Sequence, residues 1–176
     1  MPVDVHTDLH TAVPSHPAPL SSCARATSAS ESRYRIQVPI RPARSARVIA
    51  LDERAEGVAR RLAAAHWAHA RFFANRGLDA AGEVRLTELD GTPAALDRVL
   101  SGTDVVVVLA TEDGGRAAAA AIGRLCGRGG ITTAGVVLGD GFEADDAVAA
   151  LRPYARVLLL SADESDAFEL LTALRV

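Results

Sequence analysis

The run Val105-Val106-Val107-Val108-Leu109-Ala110 constrains the fold more than any other stretch of this chain. β-branched side chains favour extended backbone, and a strand without polar alternation must be covered on both faces. That requires a layer on each side of a sheet, the arrangement of α/β proteins with parallel strands. The run leads into Thr111-Glu112-Asp113-Gly114-Gly115-Arg116 and then an alanine-rich stretch. Strand, glycine turn and helix N-terminus, in that order, form the junction at which nucleotide-binding α/β domains hold phosphate.

The alternation continues on both sides of this junction. Residues 47–51 (RVIAL) read as a strand, and Val58, Leu62, Ala65, His69 and Phe72 trace one helical face, predicting a long helix to about Asn75. Residues 83–89 (EVRLTEL) alternate as a half-buried strand. Asp90-Gly91-Thr92-Pro93 makes a turn with Pro93 opening a helix over 94–101. Helices are expected over 115–127, 143–151 and 163–174, and further strands over 131–138 and 156–160. The apolar 156–160 run, like 105–110, predicts burial on both sides. The resulting expectation is one doubly wound, three-layer Rossmann-like α/β domain over 46–176. Its sheet would be five-stranded and parallel, with order 2-1-3-4-5 and right-handed crossovers.

Residues 1–45 have another character. They hold most of the prolines and three of the five histidines, and carry no long apolar periodicity. Such a segment does not bury enough apolar surface to offset its ordering entropy, so a disordered Arg/Ser/Pro-rich tail is expected. Within it, residues 34–40 (YRIQVPI) alternate, making Tyr34, Ile36, Val38 and Ile40 a candidate docking strip for a protein partner. Pro39 confines that strip to a sheet edge.

The net charge of -3 gives no electrostatic reason to expect nucleic acid or an anionic membrane as partner. All 19 basic residues are arginine, so neither a Walker-type lysine nor a lysine Schiff base is available. Cys23 and Cys126 are too few and too far apart for a disulfide framework, which fits a cytoplasmic protein. No apolar run approaches the ~20 residues that span a bilayer.

In a doubly wound sheet a ligand binds beyond the carboxyl ends of the strands, where strand order reverses. Here that crevice would be built from Asp52-Glu53-Arg54 and from residues 111–116. Gly114 and Gly115 would let backbone amides approach an anion, Thr111 borders the turn, and Arg116 adds a fork of donors. Asp52, Glu112 and Asp113 would repel a polyphosphate unless Mg²⁺ bridged them, which makes them candidate metal ligands. The same acids serve equally as ordinary helix caps. A dinucleotide fingerprint is excluded, because DERAEG follows the first strand in place of G-x-G-x-x-G.

Residues about 100–170 resemble the nucleotide-binding half of the FtsZ/tubulin family. The matching positions are Thr133-Ala134-Gly135-Val136-Val137, Phe142-Glu143, Leu151-Arg152 and residues 156–160 (RVLLL), leading to Asp163 and a final helix. The resemblance implies GTP with Mg²⁺ as ligand, held near Thr111, Gly114, Gly115, Arg116 and Asp163. It also implies a protein partner or a second copy in an assembly. The departures concern chemistry. The family's glycine-rich signature is reduced to EDGGR with no G-T-G, and its acidic hydrolytic loop would lie beyond residue 176. The expectation is a degenerate, truncated relative acting as a non-catalytic regulatory or assembly subunit. Alternatives are a small GTP- or other nucleotide-dependent enzyme using the crevice, and a module binding a metal or cationic ligand through the same acids.

Other constellations carry less. Asp52-Glu53 is similar to the acidic pair of receiver domains, but Leu109-Ala110 stands where the phospho-acceptor should be, and no lysine exists. His66 and His69 are spaced i, i+3 on the long helix, without a third ligand to complete a metal shell. Ser161 has no histidine in the domain beyond position 69, so no triad is expected.

Overall fold

Burial of the valine run organises both layers around it. The computed structural model describes residues 42–139 and 144–176. In chain order these form β1 (Ala46–Ala50), α1 (Glu53–Ala63), β2 (Ala70–Leu78), β3 (Val84–Glu88), β4 (Pro93–Ala95) and α2 (Leu96–Leu100). There follow β5 (Val105–Ala110), a 3₁₀ turn (Asp113–Gly115), α3 (Arg116–Gly129), β6 (Thr132–Leu138), α4 (Asp145–Leu151), β7 (Ala155–Ala162) and α5 (Glu164–Ala173). The tail and the strip holding Tyr34, Ile36, Val38 and Ile40 lie outside the described residues.

The sheet has seven strands in the order β4-β3-β2-β1-β5-β6-β7. β2, β1, β5, β6 and β7 pair in parallel, whereas β3 and β4 are antiparallel. The expected five-stranded, wholly parallel sheet is therefore corrected to a mixed one. Successive β5 residues face opposite layers. Val106 and Val108 pack with Ile49, Phe73, Leu86 and Ile122 under α2, α3 and α4. Val105, Val107 and Leu109 pack with Val48, Leu62, Phe72 and Leu171 under α1 and α5.

The long helix is the largest correction. α1 stops at Ala63, and the later part of the stretch expected to be helical to Asn75 instead begins the nine-residue strand β2. The terminal carbonyls of α1 are satisfied locally: Leu62 O accepts from Ala65 N at 3.1 Å and from Trp67 Nε1 at 2.8 Å. This ends the helix without requiring another turn. Extended backbone then sends Phe72 and Phe73 into opposite layers, filling both cores from adjacent positions. The strand turns back at Gly77 and Gly82, whose φ values of 82° and 80° suit glycine. Asp79 Oδ1 holds this hairpin by accepting from Ala81 N at 2.8 Å and Glu83 N at 2.9 Å. The expected strand over 83–89 is thus the antiparallel β3 at 84–88, and Pro93 opens the edge strand β4 instead of a helix.

The two sheet edges differ. β4 has three residues and begins with a proline, which donates no ladder hydrogen bond. β7 was expected to be doubly buried, yet it forms the other edge, with Val157 36% and Leu160 50% exposed. The apolar sequence is as expected; among the described residues no neighbouring strand lies beyond it.

Helix α3 approaches the segment between α4 and β7 through Gly123, where an added Cβ would lie 2.4 Å from Tyr154 Cδ2. Gly123→Ala must therefore displace the tyrosine ring. We expect a loss of about 1–3 kcal/mol, the range for overpacking, read as a lower denaturation midpoint at unchanged m-value.

Candidate functional site

The crevice lies where the chain, after building outward from β1 through β2, returns to place β5 on the other side of β1. Its central group is Asp52, the N-cap of α1. Oδ1 accepts from Ala55 N at 2.8 Å and Thr111 Oγ1 at 2.5 Å. Oδ2 accepts from Thr111 N at 2.7 Å and Glu112 N at 3.3 Å. Each oxygen thus has two donors, and the carboxylate clamps the start of α1 to the exit of β5. Thr111 is committed to the same clamp.

The glycine turn is also built into the domain. Asp113 Oδ1 accepts from Asp146 N at 2.8 Å, capping the first turn of α4. Arg116 Nη1 donates to Asp146 Oδ1 at 2.7 Å in an exposed pair. Gly115 is buried, and a Cβ there would fall 2.6 Å from Leu51 Cβ, so close packing explains this glycine without a ligand. Gly114 faces open space, and Glu112 is exposed. Asp163 lies beyond β7, two strands from β5, outside the group formed by Asp52 and the turn. It caps α5 in a reciprocal capping box with Asp166. The Ser165 hydroxyl, followed by the Asp166 amide, holds its carboxyl below the usual range.

Among the described residues no three His, Cys, Asp or Glu side chains cluster as a metal shell. His66 and His69 do not share a helix face; both follow the end of α1, flanking Trp67, whose ring meets Phe168 at 5.2 Å. Cys126 is buried, and burial pushes its thiol up, away from the reactive thiolate.

One polar group escaped the sequence reading. At the carboxyl end of β2, Arg76 donates to buried Glu56 through Nη1 at 2.7 Å and Nη2 at 3.0 Å, and Arg60 adds a bond at 2.6 Å. These side chains, with Glu53 and Asn75, line an open hollow of about 600 Å³. The Glu56–Arg60 spacing of i, i+4 is readable on a helix. Arg76 is not, once its strand is taken for a helix. Hydrogen bonding to Arg76, then to Arg60, holds the Glu56 carboxyl below the usual range against the opposing cost of burial.

No protein-family model matches the chain, and no curated protein matches it.

Two outcomes test the site. Gly115→Ala should cost about 1–3 kcal/mol through its clash with Leu51, while Gly114→Ala changes stability by less than about 1 kcal/mol. Thermal denaturation of the pair checks the contrast, and equal losses would refute the packing account. Glu56→Gln should destabilise the domain at pH 7 by about 1–2 kcal/mol. Because the folded pKa of Glu56 is depressed, its contribution is complete above the unfolded value of about 4.3 and is lost as pH falls through the folded value. The gap between wild type and variant should close below that range in urea titrations.

Proposed function

We propose that this domain is a non-catalytic assembly or regulatory subunit that binds a protein partner. The carrying observation is the internal commitment of the crevice. Asp52, Thr111, Asp113 and Arg116 spend their polar groups on the two helix starts and the strand exit around them. A site awaiting a polyphosphate would present these groups unpaired. The absence of lysine from the chain supports the same reading. A kinship with the FtsZ/tubulin family is part of this proposal. It is supported by the order of a buried strand, a glycine turn, an alanine-rich helix and a Thr-Ala-Gly-Val-Val strand. Among the described residues no helix is long and apolar enough to cross a membrane.

A GTP-dependent enzyme is the runner-up. The Arg116–Asp146 pair favours it to the extent that an exposed ion pair is worth little, so Arg116 can turn to a phosphate at small cost. In that reading Glu112 and Asp113 hold Mg²⁺. Thermal denaturation with GTP and MgCl₂ separates the two. We expect no nucleotide-dependent shift, and turnover indistinguishable from background. A ligand at about 100 times its dissociation constant would instead stabilise by ~2.7 kcal/mol. Such a shift, lost when Glu112 and Asp113 are both replaced by Asn, would establish the enzyme reading in place of ours.

A further inference from the structure

We propose that the partner seated on β7 is a second copy of this chain, the two edge strands meeting antiparallel across a two-fold axis. This rests on the assembly reading above and gives it a surface. Among the described residues β7 pairs with β6 alone, and its outer edge carries Val157-Leu158-Leu159-Leu160. The large hydrophobic side chains exposed among the described residues are Leu78, Val157, Leu160 and Phe168, so this one edge strand supplies two of them. Exposed edges are ordinarily blunted by lysine, proline or inward charge. β7 has no lysine and no proline, and its sole charge is Arg156.

Charge order selects the occupant. Arg152 and Arg156 lie at the start of the strand, while Asp163, Glu164 and Asp166 follow its end. Among the described residues neither arginine is paired with a carboxylate, and Arg61 offsets only Glu164. Antiparallel apposition sets the basic end of each strand beside the acidic end of the other. Parallel apposition sets like against like. The sequence is therefore complementary to itself under a two-fold axis, the symmetry of most homodimers.

The extent of the contact is also set by the fold. Irregular register on either side of residues 157–159 leaves Ala134↔Val157, Gly135↔Leu158 and Val136↔Leu159 as the regular part of the β6–β7 ladder. A new ladder is confined to the same three residues, and side-chain packing supplies the rest. An edge of this length falls short of the roughly 800 Å² per partner of a standard interface, so the dimer should be weak and reversible.

Sedimentation velocity of the full chain over a concentration series tests this. We expect a monomer–dimer equilibrium that weakens with added salt. Val157→Glu and Leu160→Glu should each raise the dimer dissociation constant at least tenfold at unchanged circular dichroism. Should the charged variants fail to fold, Leu158→Cys, at the centre of that ladder and so opposite its own copy, should give an interchain disulfide under mild oxidation that wild type does not form. A wild type that remains monomeric at about 0.1 mM overturns the second copy. So does a dimer that persists in folded Val157→Glu and Leu160→Glu, or a Leu158→Cys chain that does not crosslink. None of these results restores the enzyme reading, which falls or stands on the GTP and MgCl₂ shift.

Discussion

The domain turns on one carboxylate. Asp52 ends the first strand, starts the first helix and holds the exit of the central strand 59 residues later in the chain. Removing it would free one helix donor, the Ala55 amide, and three donors at the exit of β5 together, in the place where a doubly wound sheet ordinarily opens to a ligand. The polar groups of the crevice thereby serve as a joint between β1, α1 and β5. Leu51, one residue earlier, completes the joint by occupying the space that a side chain on Gly115 would need.

The same economy recurs along the carboxyl edge of the sheet. Asp113 reaches from the glycine turn to the start of α4, and Asp163 closes its own helix with Asp166. Helix starts that elsewhere attract anions are here satisfied by the chain's own acids. This arrangement also accounts for an acidic rim around a sheet whose strands are almost wholly apolar. The hollow beside Glu56 follows the same rule, since both its arginines converge on the one buried carboxylate.

Much of this was legible beforehand, and the failures have local causes. β5, β6 and α3 were readable because a β-branched run, a glycine turn and an alanine-rich stretch each specify one conformation. β2 was hidden because Val58, Leu62, Ala65, His69 and Phe72 keep helical spacing across the end of α1 by coincidence. The pair of glycines at 77 and 82, with Asp79 between them, was the available signal for a hairpin, and it places a strand on each side. For β7, an apolar run records that a strand avoids water but not which neighbour removes the water. At the crevice, the identity of the residues was readable and their employment was not. That Asp52 binds the amides of Thr111 and Glu112 depends on a contact between strands far apart in sequence.

The inequality of the two sheet edges limits how this protein can grow. β4 is short and opens with Pro93, while the neighbouring β3 carries Arg85 on its exposed positions. β7 is longer and apolar. A sheet receptive on one side and closed on the other is capped as soon as its open side is covered. In the dimer proposed above, the edge left over is β4, whose length and proline disfavour further strand addition, so that complex would be finite.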